Sequence, residues 1–188
     1  MNGERLKLVI SGPVGAGKTT FVASLSDIPV VNTDEVSSEL IGKSTTTVAL
    51  DFGALTLDGI QVYLFGTPGQ ERFAFAWDTL LEGAFGLVFL VAGNQPATFP
   101  TARRMLDYLT TNFPVPFVVG VTRKDLAQVW SAEEVASYFR LPAPHVLAVN
   151  ATSREDCREV LLQILRFWGV AGTKIPPEKA EHAGTSSH

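Results

Sequence analysis

Short runs of apolar residues alternate along the chain with segments in which apolar residues recur every three or four positions. Residues 86–92 and 117–121 are apolar at nearly every position, which is typical of strands that helices cover on both faces of a sheet. Residues 102–113 repeat their apolar side chains at helical spacing instead. This alternation predicts an α/β fold with a mostly parallel sheet and helices on both of its faces.

One antiparallel hairpin is predicted within this order. The pair Asp58-Gly59 favours a two-residue turn, and strand-like runs at 47–57 and 61–65 flank it. The polar stretch 26–46 predicts a long loop, and loops of that length inside compact domains are usually functional. The other predicted elements are strands over 6–10 and 146–149 and helices over 18–25, 71–82, 131–138 and from Cys157 to Trp168. Six strands are therefore expected.

The composition describes one globular domain followed by a polar tail. The 188 residues are 46% hydrophobic and 18% charged, which suits a single domain with a sizeable core. From residue 171 onward the composition changes to Gly, Pro, Lys, Glu and Ser, so we expect a folded domain over 1–170 and a flexible tail over 171–188. The net charge of -4 argues against non-specific nucleic-acid binding, which needs a basic surface.

The sequence carries no sign of export or membrane attachment. No apolar stretch reaches the roughly 20 residues that a membrane-spanning helix needs, and neither a secretory signal nor a lipidation motif is found. The single cysteine, Cys157, excludes an internal disulfide framework and a Cys-rich metal site. We therefore expect a soluble, reduced, cytoplasmic single domain without a lipid anchor.

A phosphate-binding motif lies between the first predicted strand and the first predicted helix. Residues 12–19 fit the pattern G-x-x-x-x-G-K-[ST] in the strand–turn–helix context that this motif requires. Glycines let the backbone wrap around a phosphate, and N–H groups at the start of the helix point at the anion. Lys18 is expected to reach the β- and γ-phosphates, and the Thr19 hydroxyl to ligate Mg²⁺. The motif indicates a nucleoside triphosphate without naming the base.

Two segments carry a family resemblance. Residues 11–20 and the run FGTPGQERF at 65–73 together resemble the small GTPases of the Ras superfamily, and the second run is similar to the DTAGQERF segment of the Rab branch. With residues 45–53 added, the sequence looks closer to prokaryotic Ras-like GTPases, which include conservon-type and gliding-motility proteins. The resemblance spans roughly residues 6–168. It implies a Ras-like, six-stranded P-loop NTPase fold that binds GTP or GDP with Mg²⁺.

The resemblance implies roles for residues of two switch segments. Thr47, or Thr46 beside it, matches the threonine that ligates Mg²⁺ and senses the γ-phosphate. Gly69 matches the glycine whose N–H touches the γ-phosphate, and Gln70 matches the glutamine that orients the attacking water. The implied catalytic set is Lys18, Thr47 and Gln70.

Two later segments match the part of the site that recognises the base. Residues 122–125 match the N/T-K-x-D motif, in which Asp125 can accept two N–H bonds from guanine, a pair of donors that adenine lacks. Residues 150–152 occupy the place of the S-A-K motif, where the Ala151 N–H would contact the guanine carbonyl. The implied nucleotide-binding residues are Gly12, Val14, Gly15, Ala16, Gly17, Lys18, Thr19, Thr20, Gly69, Thr122, Arg123, Asp125, Asn150, Ala151 and Thr152.

The sequence departs from the family pattern at its metal site. Gly66 stands where the D-x-x-G motif has its magnesium-supporting aspartate, so a carboxylate is missing there. Asp51 is our candidate substitute, because it lies on the neighbouring predicted strand in phase with Thr47. A surface aspartate on an edge strand is the alternative. The implied metal-site residues are Thr19, Thr47 and Asp51.

Three further departures affect the phosphate and base motifs. Val14 replaces a glycine that usually faces the γ-phosphate. It predicts slow hydrolysis, because small misplacements of the reacting groups cost orders of magnitude in rate. Arg123 replaces the lysine whose stem lies over the base, and Asn150 replaces a serine. The stem and planar head of Arg123 could still stack on the base, and Asn150 weakens the match to the base motif without abolishing it.

Three aromatic residues follow the second switch segment. Phe73, Phe75 and Trp77 are separated by alanines, and this spacing of two prevents all three from facing one side of a helix. Aromatics left partly exposed beside a mobile switch suggest a protein-binding patch, and packing in the core is the alternative. The resemblance implies a partner such as a roadblock-type regulator or a sensor-kinase system.

The sequence leaves functions of different classes open. The leading one is a Mg²⁺-dependent small GTPase that hydrolyses GTP slowly and signals to a protein partner. The second is a nucleotide-binding scaffold that recruits partners without significant turnover, which Val14 and Gly66 favour. A P-loop kinase for small molecules would need an arginine-rich lid. The pair Arg103-Arg104 lies on a predicted helix instead, so this function ranks last.

Overall fold

The apolar runs of the sequence form one central sheet. The computed structural model describes residues 5–33 and 50–170, and the elements named below are those of the described residues. The strands are β1 Arg5–Ser11, β2 Val31–Thr33, β3 Leu50–Leu57, β4 Ile60–Gly66, β5 Gly86–Ala92, β6 Phe117–Thr122 and β7 Val146–Ala148. The α-helices are α1 Lys18–Leu25, α2 Ala74–Leu81, α3 Phe99–Asn112, α4 Ala132–Phe139 and α5 Arg154–Val170.

The strand order is β2-β3-β4-β1-β5-β6-β7. The five strands from β4 to β7 in this order are parallel neighbours, whereas β3 pairs antiparallel with both β2 and β4. The prediction of an α/β fold with a mostly parallel sheet is confirmed. The count of strands was wrong, because the described residues contain seven instead of six.

The additional strand, β2, lies inside the stretch that we predicted as a long loop. Each of its three residues faces one residue of β3. Three residues are too few to show a strand period in the sequence, so only the pairing with β3 identifies this strand. The part of the predicted loop after β2, and the start of the strand predicted at 47–57, fall on residues 34–49, outside the described residues.

Alternate residues of β5 face two hydrophobic clusters. Leu87, Phe89 and Val91 belong to the cluster that α2, α3 and α4 cover. Val88 and Leu90 belong to the cluster that α1 and α5 cover on the opposite face. Every residue of β5 is buried, as the unbroken apolar run predicted for a strand between two helical layers.

Two local signals of the sequence are confirmed in detail. Asp58 and Gly59 have φ angles of 49° and 84°, the left-handed conformations that a two-residue turn between β3 and β4 requires. The Ser-x-x-Glu spacing forms a capping box at the start of α4, with the Glu134 N–H donating to the Ser131 hydroxyl and the Ser131 N–H donating to the Glu134 carboxylate. Within 5–33 and 50–170, none of the helices is both long and apolar enough to cross a membrane.

Candidate functional site

Glycines shape the loop between β1 and α1. Gly12 has a φ angle of 143°, and a Cβ atom there would lie 2.2 Å from the Leu90 carbonyl oxygen of β5. Gly15 and Gly17 have φ angles of 79° and 95°, in the left-handed region that favours glycine. The loop therefore curls closely against the sheet and leads directly into α1 at Lys18. This is the geometry of an anion-binding loop at a helix N-terminus.

Lys18 folds back over this loop. Its ammonium group donates to the carbonyl oxygens of Gly12 and Pro13, each at 2.8 Å. Burial lowers the pKa of Lys18 to about 8, and the negative charge of Asp51 only partly opposes this shift. Phosphate oxygens bound beside the ammonium would favour its charged form. Such an anion would therefore offset the cost of burying Lys18.

Asp51 on β3 and Thr19 on α1 are in contact beside the phosphate-binding loop. The Thr19 hydroxyl donates to Asp51 Oδ2 at 2.5 Å. Asp51 on β3 is paired in register with Gly66 on β4, and a Cβ atom at Gly66 would lie 3.1 Å from the same carboxylate oxygen. The Asp51 carboxylate thus occupies the space beside residue 66, where the family pattern has its aspartate.

The turn after β4 is anchored by contacts that the sequence analysis missed. The buried Thr67 hydroxyl donates to the buried Ser11 hydroxyl at 2.9 Å, and the Trp77 indole N–H donates to the Pro68 carbonyl oxygen at 3.0 Å. Ser11 follows the buried apolar run Leu8–Ile10 of β1 and is itself buried, so its hydroxyl needs a partner inside the protein. A Cβ atom at Gly69 would lie 2.8 Å from Lys18 Nζ, so this turn packs directly on the phosphate-binding loop.

The two segments predicted to recognise a base converge on the same loop. The buried Thr122 hydroxyl donates to the Ala16 carbonyl oxygen at 2.8 Å, and the Ser24 hydroxyl of α1 donates to the Ala151 carbonyl oxygen at 2.6 Å. A Cβ atom at Gly17 would lie 3.6 Å from the Ala151 Cβ. Loops that follow β1, β6 and β7 therefore meet at the carboxyl edge of the sheet, where α/β folds bind their ligands.

The backbone at the base segments is tightly turned. Arg123 has a φ angle of 69°, and Asn150 Oδ1 accepts hydrogen bonds from the Thr152 N–H and hydroxyl at 3.0 and 2.8 Å. Asp125 is exposed, and its carboxylate makes no hydrogen bond or ion pair with the described part of the chain. As far as residues 5–33 and 50–170 are concerned, both of its oxygens are open to donors from a ligand.

Cys157 lies beneath Ala151, and its chemistry provides a test of this packing. The side chain is fully buried, its Sγ lies 3.6 Å from the Ala151 carbonyl oxygen, and burial raises the pKa of the thiol to about 12, with the charge of Asp156 adding to the shift. Because the thiolate is the nucleophile, we expect the native protein to react with a disulfide reagent at pH 8 roughly a thousandfold more slowly than the unfolded protein. Stopped-flow absorbance in buffer and in 6 M guanidinium measures both rates, and equal rates would contradict the buried position.

The predictions for the switch threonine and for the aromatic patch have separate outcomes. Thr47 and its alternative Thr46 lie outside the described residues. Trp77 does not belong to an exposed patch, because only 3% of it is accessible and it projects from α2 into the core. Phe75 is 41% exposed, and its ring centroid lies 6.3 Å from that of the half-buried Phe73. The predicted aromatic patch is therefore reduced to these two phenylalanines.

Comparison with known proteins places the chain in a family. The family model described as "Conserved hypothetical ATP binding protein" matches residues 29–166, and the chain belongs to that family. It is also similar to an uncharacterized protein of Methanocaldococcus jannaschii, at 36% identity over 137 residues that cover 71% of this chain and 79% of that protein. The ADP-ribosylation factor-related protein 1 of Bos taurus is 22% identical over 153 residues, 80% of this chain and 72% of that protein.

Two solved structures share the fold. The G domain of the T. maritima FeoB iron transporter superposes with a TM-score of 0.65 at 18% identity, covering 87% of this chain and 99% of that one. The Arl6 BBS3 small GTPase from Trypanosoma brucei, with bound GppNp, superposes with a TM-score of 0.68 at 15% identity, covering 88% and 98%. The chain thus has the P-loop NTPase fold of small GTPase G domains. The narrower resemblance to conservon-type and gliding-motility proteins stays a prediction.

Proposed function

We propose that this protein is a guanine-nucleotide-binding switch that binds GTP and GDP with Mg²⁺, hydrolyses GTP slowly and signals to a protein partner. The observation that carries the proposal is the convergence of the phosphate-binding loop with Thr122 and Ala151, at the root of the loop that carries Asp125. Each group lies at the carboxyl edge of the sheet, as a nucleotide that spans from its phosphates to its base requires.

The base is the point on which this proposal departs from the family description, which names ATP. Guanine presents two adjacent N–H donors on its edge, and a carboxylate accepts both. Adenine presents no such pair, and a site built around a charged acceptor discriminates strongly because the unpaired carboxylate penalises the wrong base. Asp125, which is exposed and pairs with none of the described residues, would supply that acceptor.

Magnesium suits the donors beside the phosphate loop. The Thr19 hydroxyl and the Asp51 carboxylate are oxygen donors 2.5 Å apart, and Mg²⁺ prefers oxygen ligands. Within the described residues, no cluster of three or more His, Cys, Asp and Glu side chains suits a metal ion. Thr19 would hold the ion directly and Asp51 would hold Thr19. Bound Mg²⁺ supplies charge neutralisation between the phosphates of the nucleotide.

The residues around the γ-phosphate position support turnover at a low rate. Gln70 is exposed, next to Gly69 on the turn that packs against Lys18, and would orient the attacking water. Val14 is 60% exposed on the phosphate-binding loop, and its branched side chain would crowd that water. Because positioning supplies most of the catalysis in phosphoryl transfer, crowding of this kind slows hydrolysis.

The identity of the bound nucleotide tests the proposal. Nucleotide released from acid-denatured protein is separated by ion-exchange chromatography, and stripped protein is titrated with GDP or ADP in the presence of Mg²⁺ by calorimetry. We expect guanine nucleotides in the released fraction and an affinity for GDP at least about 100-fold above that for ADP. Equal or tighter binding of ADP would overturn the guanine assignment. No binding of either nucleotide would overturn nucleotide binding altogether.

Single-turnover hydrolysis of GTP separates the switch from a scaffold that binds nucleotide without turnover. Gln70→Leu should slow hydrolysis in a switch, because the leucine cannot hold the water. Gln61→Leu, at the opposite end of β4, is the matched control and should leave the rate unchanged. Equal, background-level rates for all three proteins would favour the scaffold, which the exposed Val14 also supports.

A further inference from the structure

We infer that Lys124 and Asp156 form a bridge that positions the two base-recognising loops and determines how strongly the site prefers guanine. This inference rests on the proposed function. Asp156 Oδ2 lies 2.5 Å from Lys124 Nζ and accepts the Asn150 N–H at 2.7 Å. One carboxylate oxygen on α5 therefore holds the loop after β6 and the loop after β7 at the same time.

The bridge holds the exposed parts of the loops after β6 and β7. The first residues of these loops are held by other contacts. Thr122 is anchored to the phosphate-binding loop, and Ala151 to α1, by hydrogen bonds. Beyond Thr122 the chain turns through the left-handed Arg123, with the Leu126 N–H donating to the Arg123 carbonyl oxygen. The ion pair of Lys124 with Asp156 joins this turn to α5, and the same carboxylate holds the loop after β7 through the Asn150 N–H.

The bridge also determines which charge lies beside Asp125. Lys124 precedes Asp125 directly in the chain, at the position where the N/T-K-x-D motif accepts any residue. If its ammonium were not held by Asp156, Asp125 would be the carboxylate nearest to it along the chain, and pairing would use the oxygens that the base needs. By holding Lys124, Asp156 keeps Asp125 available as an acceptor.

Asp156 is suited to this role because it is ionised and shielded. Its side chain is 22% exposed, against 42% for that of Lys124, so the carboxylate is the better shielded partner of the pair. Partial burial by itself would raise the pKa of the Asp156 carboxyl. Hydrogen bonds from Lys124 and the Asn150 N–H outweigh that effect and hold the pKa below its usual range. The carboxylate is thus charged at neutral pH.

The bridge makes Lys124 and Asp156 positioning residues for a purine nucleotide, since neither occupies the place of a base-contacting residue. Removing the charge of Asp156 should weaken GDP binding, which depends on Asp125. It should leave ADP binding unchanged, because ADP is held through its phosphates by the loop at 12–19. The ratio of the two dissociation constants therefore separates positioning of the base site from a general loss of structure.

The experiment compares GDP and ADP dissociation constants, by calorimetry with Mg²⁺, for the parent protein, Asp156→Asn and the double variant Lys124→Gln/Asp156→Asn. We expect Asp156→Asn to reduce the preference for GDP over ADP about tenfold. The double variant should recover part of this preference, because it lacks the released ammonium. Glu159→Gln is the control, since Glu159 forms an exposed pair with Arg166 on the same helix, and it should retain the parent ratio.

Each outcome decides a different question. If the parent prefers GDP and Asp156→Asn keeps the same ratio, the inference is overturned while the proposed function stands. Equal weakening of GDP and ADP in Asp156→Asn would show a structural role only and would likewise overturn the inference. A parent protein without a preference for GDP would overturn the guanine assignment, and this inference with it.

Discussion

Replacing Asp125 by asparagine should change the ratio of guanine to xanthine nucleotide affinity by about a thousandfold in favour of xanthine. The aspartate accepts two N–H bonds from the guanine edge, whereas an asparagine amide presents N–H donors of its own. Xanthine carries a carbonyl oxygen where guanine carries its amino group, and therefore offers the acceptor that the variant needs. The exposed position of Asp125 makes this substitution possible without disturbing the core.

The measurement is a titration of stripped protein with GDP and XDP in the presence of Mg²⁺. Asp107→Asn is the matched control, because Asp107 is an exposed aspartate on α3 that pairs with Arg103 one helical turn away, and it should retain the parent ratio. An Asp125→Asn variant that still bound GDP with the affinity of the parent would remove Asp125 from the base site.

Asp51→Asn should weaken Mg²⁺-dependent retention of nucleotide by about 10- to 100-fold, the range observed when a group that supports a metal ligand is lost. Asp51 Oδ2 accepts a hydrogen bond from the Thr19 hydroxyl, with 2.5 Å between the two oxygens, and this bond would orient the threonine oxygen toward the ion. The amide keeps the size of the side chain and removes its charge. Dissociation of a fluorescent GDP analogue with Mg²⁺ and with EDTA measures the effect, which should vanish in EDTA.

Exchanging the carboxylate between two strands provides the control for this prediction. Gly66→Asp alone should be destabilised, because its Cβ atom would lie 3.0 Å from that of Asp51. The double variant Asp51→Gly/Gly66→Asp should recover part of the Mg²⁺-dependent retention, since residues 51 and 66 are register partners and the carboxylate stays at one site. If Asp51→Asn retained nucleotide as the parent does with Mg²⁺, Asp51 would have no part in metal binding.

The sequence by itself determined the features that depend on neighbouring residues. The hairpin turn at Asp58-Gly59, the capping box at Ser131 and the start of α1 at Lys18 all lie where the sequence predicts them. Each depends on backbone preferences and hydrogen bonds within a few residues. The unbroken apolar run of β5 likewise predicted a strand between two helical layers, because burial on both faces leaves no polar position.

Only the tertiary structure decided the features that join distant segments. The strand β2 exists through its pairing with β3, and Trp77 is buried because α2 turns that side chain into the core. The place of the Asp51 carboxylate beside Gly66 follows from strand register. The link from Lys124 to Asp156 follows from the approach of α5 to the loop after β6. Such contacts depend on where the chain returns in space, which no spacing within one segment encodes.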